Sequence, residues 1–242
     1  MSTLKDYYNN FNSDISKIDA KYNCFDKISG FLPPLNSKLK ILDIGCGYGS
    51  VSENLIRMGH DVYGIEINKE ALKELKKKGF KTIACDITNK LPFGNNSFDG
   101  ILLLDILEHV FDPISLLSEI RRVLKRNGFI IINTPLYFDL LDRMRILFTG
   151  NIISYDNKCY GKKLFRKFKS FNYGHIRFFQ SKDLFHMLKI TGFRIEKYKY
   201  IPMHGFGYSR VLGLIILMIA NNWTVNLLPN LLAHSIKIRA VK

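Results

Sequence analysis

The segment best equipped for chemistry is Asp43-Ile44-Gly45-Cys46-Gly47-Tyr48-Gly49, which closes an apolar run starting at Lys40. Glycines at alternate positions let a turn adopt positive φ and let backbone touch a ligand. The acid ahead of them selects the ligand's charge. Asp43 would repel a pyrophosphate and attract an ammonium group. A second acid, Glu66, ends the next apolar run, where it can accept hydrogen bonds from ribose hydroxyls. A glutamate at a helix N-terminus is also favoured by the helix dipole alone. Asp105, Glu108 and His109 follow a third run, Phe98–Leu104, and His175 opens the block His175-Ile176-Arg177-Phe178-Phe179. Histidines of this kind serve as bases or as hydrogen-bonding anchors, and both readings stay open.

These residues need a scaffold, and the chain supplies alternating signals for one. Strands are expected at Lys40–Ile44, His60–Ile65, Lys81–Cys85, Phe98–Leu104 and Phe129–Asn133. Near-continuous apolar runs of this sort suit a parallel sheet buried on both faces. Between them, Ser50–Met58 reads as a helix closed by Gly59. Asn68–Lys78 has Ala71, Leu72 and Leu75 inward and stops at Gly79. Asp112 caps a further helix with Pro113 at its first position and Asn127-Gly128 at its end. Ser181–Thr191 is a last helix, stopped by Gly192, and Phe193–Ile201 and Ser235–Val241 are the final strands. Alternating β and α gives an α/β, doubly wound sheet.

The strand, glycine turn and helix from Lys40 to Gly59 resemble the first motif of class I S-adenosylmethionine-dependent methyltransferases. Their cofactor carries an ammonium group and no phosphate. The resemblance covers Lys38 to Pro135 well and Tyr173 to Tyr200 more loosely. A dinucleotide-binding unit competes, but its third glycine would fall one place later, where this chain has Ser50. The resemblance implies a mostly parallel, seven-stranded Rossmann-like sheet with an antiparallel edge hairpin, N-terminal cap helices and inserted lid segments. It places Gly45, Cys46, Gly47 and Gly49 against the methionine part of S-adenosylmethionine, with Asp43 at its ammonium. Glu66 would meet the ribose and Asp86 the adenine amino group, with Ile67 and Ile87 sandwiching the ring. Leu104 and Asp105 would face the sulfonium. Leu107-Glu108-His109-Val110 is similar to the loop of ubiquinone-biosynthesis-type O-methyltransferases, in which two acids and a histidine can gather a divalent cation. Asp105, Glu108 and His109 match that order, with the shorter Asp105 in place of the usual glutamate. His109, His175 and Asp105 are the catalytic candidates, and Glu108 and His109 the metal candidates.

The remaining segments frame the acceptor side. Residues 1–37 carry apolar positions at three- and four-residue steps, as cap helices would. Residues 38–135 form the cofactor core, 136–180 a lid, and 181–242 the last helix and edge strands with an apolar insertion at 202–234. Lys158 to Phe171 interleaves Lys158, Lys162, Lys163, Arg166, Lys167 and Lys169 with four apolar residues and no acid. Such a helix lies on an anionic membrane surface or covers an active site as a solvated lid. Val211–Ala220 is uncharged but short of the ~20 residues that span a bilayer. The net charge of +15 favours anionic partners, or reflects solvated lysines alone. Four scattered cysteines and a polar start without an apolar signal region point to the cytoplasm, with a peripheral place on the inner membrane face as a further expectation. The acceptor expected is a small or lipid-linked metabolite, such as a quinone precursor or glycan, methylated on oxygen. The alternatives are an RNA or protein methyltransferase, or a non-catalytic cofactor-binding partner. Nucleic acid is disfavoured, because neither an Asn-Pro-Pro-aromatic motif nor a Pro-Cys nucleophile follows Leu104, and the non-catalytic role is weaker still, because the cofactor motifs are intact.

Overall fold

The computed structural model describes residues 28–34, 37–137, 139–149, 175–202 and 223–242. The expected helices before residue 28, the basic stretch Lys158–Phe171 and the apolar run Val211–Ala220 lie outside these described residues. Seven strands form one sheet in the order β3-β2-β1-β4-β5-β7-β6. They are β1 (Lys40–Ile44), β2 (Asp61–Glu66), β3 (Lys81–Ala84), β4 (Phe98–Leu104), β5 (Leu124–Pro135), β6 (Arg194–Pro202) and β7 (Ala233–Val241). Strands β1 to β5 pair in parallel, and β7 runs antiparallel between β5 and β6. The expected antiparallel edge hairpin is therefore present.

Alternate residues of the central strands bury into two separate layers. Leu42, Ile44, Ile101, Leu103, Ile130 and Ile132 face one, while Ile41, Leu102, Phe129 and Ile131 face the other. Both faces are covered, which is why the strands read as unbroken apolar runs rather than alternating ones. Helices α1 (Glu53–Arg57) and α2 (Lys69–Lys77) supply the second layer through Leu55, Leu72 and Leu75. Helices α3 (Pro113–Val123) and α5 (Ser181–Ile190) supply the first through Leu116, Leu117, Ile120, Leu184 and Leu188. Between them in sequence, α4 (Leu140–Thr149) follows β5.

Local chemistry sets most of the boundaries. The Asn68 side chain accepts from the N–H groups of Glu70 and Ala71, satisfying orphan donors of α2. Asp112 caps α3 through Ser115, with Pro113 inside the first turn. Four expectations need correcting. Helix α1 starts only at Glu53, because the residues before it are spent on the turn. His60 precedes β2, where its Nδ1 accepts the N–H of Leu39. Asn127-Gly128 does not end α3. The wholly buried Leu124 pairs with Phe98 and draws the chain into β5 four residues earlier, so Asn127, at φ 61°, lies within the irregular start of that strand. After β7 was expected from Ser235, it begins at Ala233, preceded by the short turns α6 (Thr224–Leu227) and α7 (Pro229–Leu232).

Candidate functional site

Strands β1 and β4 are neighbours in space, but the chain leaves β1 toward β2 and leaves β4 toward β5. The crevice at the carboxyl ends of such a pair is where open α/β sheets bind ligands. The glycine turn leaves β1 at this point. The N–H groups of Gly45 and Cys46 both donate to the Ile65 carbonyl at the end of β2, at 2.9 and 3.2 Å. Gly45, Gly47 and Gly49 have φ of 67, 52 and 76°. A Cβ on Gly45 would lie 2.2 Å from Ile106 Cδ1, and one on Gly49 would lie 2.5 Å from Phe80 Cζ. A Cβ on Gly47 would meet nothing within 4 Å. Packing thus demands the outer glycines, whereas the middle one presents bare backbone to open space.

Acids surround that opening. Glu66 is 5% exposed, and its carboxylate accepts from the N–H groups of Gly47 at 3.0 Å, Ile67 at 2.7 Å and Asn68 at 2.9 Å. It therefore holds the turn against the start of α2, a tie that sequence spacing did not reveal. Asp43 is buried and accepts from the Ser52 hydroxyl at 2.5 Å. Burial pushes its pKa up to about 7, against the lowering effect of Ser52 and with a smaller push from Glu66. Burial, with the fields of Asp43 and Glu66, also drives the Cys46 thiol well above its ordinary range, so it is no nucleophile. Asp86 is exposed and folded onto Thr88, whose N–H and hydroxyl donate to its Oδ1 at 2.9 and 2.7 Å. Ile67 and Ile87 are half-buried. Lys78 reaches the Tyr48 carbonyl at 2.9 Å, but its charge is matched by Glu53 at 2.8 Å. Three acids, bare backbone at Gly47 and a neutralised lysine suit a cationic nucleoside ligand.

Across the crevice, β4 ends at Leu104 and Asp105 takes φ 55°, an unusual conformation for a residue with a side chain. Asn133 of β5 holds it there. The Asp105 N–H donates to the Asn133 carbonyl at 2.8 Å, and the Asn133 amide donates to Asp105 Oδ1 at 2.5 Å. A 3-10 turn, Leu107–His109, then presents Glu108 and His109. Glu108 is wholly buried, and the Thr134 hydroxyl donates to its Oε2 at 3.0 Å. The Glu108 carbonyl accepts from the N–H groups of Ile176 and Arg177, which brings the block from His175 to Phe179 onto this turn. Arg177 reinforces the dock through the Phe111 carbonyl and ring. On the other side, the Tyr137 N–H bonds the Phe179 carbonyl.

His175 thereby meets His109 edge to face, with ring centroids 4.6 Å apart, and its Nδ1 is hydrogen-bonded to the Tyr137 hydroxyl. Burial, with the adjacent His109, lowers the His175 pKa to about 3 and keeps that ring neutral at neutral pH. Ligand atoms of Glu108, His109 and His175 all lie within 4.8 Å of one another, and Asp105 is not part of that group. The sequence expectation of Asp105, Glu108 and His109 as one cation set is corrected here. The positive φ of Asp105 and its bond to Asn133 belong to a different contact, and His175 arrives instead. Ser52, Asn133, Thr134 and Tyr137 were absent from the sequence-level site. Thr134 and Tyr137 carried a usable signal, since they follow a strand at the ligand edge of the sheet.

A sheet of this order, with a glycine turn and flanking acids at its switch point, defines the class I S-adenosylmethionine-dependent methyltransferase fold. Comparison agrees. Residues 42–132 match the family described as Methyltransferase domain. A ubiquinone biosynthesis O-methyltransferase of Actinobacillus pleuropneumoniae is 32% identical over 105 residues, or 39% of this chain and 45% of that one. An uncharacterised protein of Methanocaldococcus jannaschii is 33% identical over 153 residues, 63% of each chain. Both alignments leave part of the relative unmatched, and the chain spans about half the length of the first curated relatives. The solved structure of a Thermotoga maritima S-adenosylmethionine-dependent methyltransferase, a possible histamine N-methyltransferase, superposes with a TM-score of 0.62 at 19% identity, covering 96% of this chain and 98% of that one. Residues 42–132 therefore resemble a methyltransferase domain, and the fold is that of class I S-adenosylmethionine-dependent methyltransferases.

Proposed function

We propose that this protein transfers the methyl group of S-adenosylmethionine to an oxygen of a small or lipid-linked metabolite. The observation carrying this reading is the pairing of an acid-lined glycine turn with a buried Glu108–His109–His175 cluster across one crevice. Bound S-adenosylmethionine supplies an electrophilic methyl on a positive sulfur. The protein's own task is to hold the acceptor in line with that carbon, which accounts for much of such a rate enhancement. Gly47 would lie against the cofactor's methionine part, Asp43 would turn toward its ammonium, and Glu66 would use its remaining acceptor capacity on the ribose. Asp86, Ile67 and Ile87 would frame the adenine. Leu104 and Asp105 would border the sulfonium.

On the acceptor side, an oxygen nucleophile must lose a proton as it attacks. His109 is the group we assign to it, while His175, held neutral by burial and fixed by Tyr137, would position the acceptor. A greasy acceptor fits the exposed Leu147, Phe148, Trp223, Leu227 and Leu228, which flank the segments outside the described residues. Among the described residues no helix is long and apolar enough to cross a membrane. The net charge of +15 and the basic stretch Lys158–Phe171 support peripheral contact with an anionic membrane surface from the cytoplasmic side.

Incubating the protein and methyl-labelled cofactor with cell extract, then separating lipid, small-molecule, protein and RNA fractions, tests the proposal. Label is expected in the lipid or small-molecule fraction on a base-stable ether. Label mainly in RNA or protein would replace this acceptor class by another. No transfer at all, with cofactor binding intact, would favour a non-catalytic partner role.

A further inference from the structure

We infer that Asp105 reads the charge on the cofactor's sulfur, aimed by Asn133 as its positioning residue, so that the site prefers S-adenosylmethionine over its neutral product. The inference rests on the proposed methyl transfer, in which Asp105 borders the sulfonium. Asp105 follows β4 directly, and β4 pairs with β1 up to Leu103 and Ile44. Its φ of 55° is costly for a residue with a side chain and free for glycine. Aspartate and asparagine tolerate this region better than most residues, so the conformation alone does not separate a charge from a turn. The contacts of Asn133 do.

Asn133 pairs with Leu104 in the β4–β5 ladder and is buried. It grips Asp105 at two points. Its carbonyl accepts the Asp105 N–H at 2.8 Å, and its side-chain amide donates to Asp105 Oδ1 at 2.5 Å. The first bond is enough to hold the backbone. The second fixes the direction of the carboxylate, and hydrogen bonds to a charged group are the strong ones. Asp105 is half-buried, so its charge is only partly screened by solvent. Glu108, the other acid of this bank among the described residues, is wholly buried and accepts from the Thr134 hydroxyl. The residue after Asp105 fixes the location. A Cβ on Gly45 would lie 2.2 Å from Ile106 Cδ1, so the segment that Asp105 opens is packed on the glycine turn.

Methyl transfer breaks the S–CH3 bond and forms an O–CH3 bond. The sulfur keeps the bonding pair and becomes a neutral thioether, and the acceptor's proton passes to the base. Cofactor and product share every other group, so contacts to the ammonium, ribose and adenine cannot tell them apart. A carboxylate beside the sulfur can, because its attraction is present before transfer and absent afterwards. That attraction fades as the charge leaves, so it does not speed the chemical step. Its effect is to favour loading of fresh cofactor and loss of product.

The test is calorimetry on the full-length protein with S-adenosylmethionine, S-adenosylhomocysteine and sinefungin, an analogue with a protonated amine where the cofactor has its methylated sulfur. All three share the amino-acid end, ribose and adenine, so effects through Asp43 and Glu66 cancel in the affinity ratios. Wild-type protein is expected to bind the two charged ligands at least fivefold more tightly than S-adenosylhomocysteine. Asp105→Asn keeps the shape and the tolerance for positive φ. It should erase most of that preference and leave S-adenosylhomocysteine affinity within twofold, and Asp105→Gly should do the same. Asn133→Leu should cut the preference at least twofold. Asn133→Ser serves as a second variant, with circular dichroism checking that each protein is folded. A preference unchanged in Asp105→Asn overturns the inference. So does an equal loss of all three ligands, which would reduce Asp105 to a turn residue. A preference unchanged in folded Asn133 variants overturns the positioning role. Wild-type protein that binds none of the three overturns the methyltransferase reading together with this inference, whereas equal binding of all three overturns this inference alone.

Discussion

The two banks of the crevice are built on opposite plans. On the β1–β2 bank, the acids and the turn lie within 24 residues, from Asp43 to Glu66, and Glu66 is tied to three backbone N–H groups while Asp43 accepts from the nearby Ser52 hydroxyl. On the β4–β5 bank, side chains from Asp105, Glu108, His109, Asn133, Thr134, Tyr137 and His175 meet one another directly. The first bank is a backbone device, which suits a ligand that never changes. The second is a side-chain device, which can be retuned one residue at a time without touching cofactor binding. That contrast is how one fold can serve many acceptors.

If the banks are independent, damage to one should spare the other. The largest effect is expected from His109→Ala. Methyl transfer should fall about 100- to 10,000-fold, the usual worth of a positioned proton-transfer group. Calorimetric affinity for S-adenosylhomocysteine should stay within twofold, and a parallel drop would show that the banks are coupled. Next is Gly49→Ala. Its Cβ would press on Phe80 and Leu75 at a φ that side chains rarely adopt, so unfolding free energy should fall by about 2–4 kcal/mol. The midpoint of a urea unfolding curve measures it. Gly47→Ala, which has room, should cost clearly less stability but more cofactor affinity.

Glu66→Ala sharpens the comparison further. Losing a charged acceptor for ribose should weaken cofactor binding by about 1–3 kcal/mol by calorimetry. Because Glu66 also ties Gly47 to α2, the cofactor-free protein should be destabilised too, and a loss of stability with unchanged affinity would reduce Glu66 to a structural tie. The smallest effect concerns pH. The folded pKa of Asp43, about 7, lies above its ordinary 3.8. Its protonated form is favoured by folding, so its contribution to stability is complete below about 3.8 and is lost as pH rises through about 7. A cation beside it reverses that preference. Affinity for S-adenosylmethionine should therefore rise with pH through about 7, by less than tenfold per unit, and Ser52→Ala should move the midpoint upward. Affinity flat between pH 6 and 8 would place the ammonium away from Asp43.

The same contrast decides what was legible in the sequence. Strands β1 and β4 were readable to the residue, because apolar runs and glycine punctuation are local signals. The glycine turn with Asp43 and Glu66 was readable for the same reason. The meeting of His175 with His109 was not, since it depends on two backbone bonds to the Glu108 carbonyl across 68 positions of chain. Asn133 was visible as a strand end but not as the anchor of Asp105, because nothing local announces that Asp105 turns left-handed. The early start of β5 was hidden by Asn127-Gly128, a pair that punctuates helices and irregular strands alike.

The position of β7 bears on how the protein is made. It is the last strand among the described residues, yet it lies between β5 and β6, and among those residues β6 pairs with no other strand. On the ribosome, the parallel half and its glycine turn can assemble once β5 has emerged, about a hundred residues before the edge can close. During that interval β5 offers a bare strand edge, and β6 has nothing to pair with. The nascent chain therefore acquires its cofactor pocket before it loses its most adhesive surface, and S-adenosylmethionine present during synthesis would brace the half-built sheet through that exposed period.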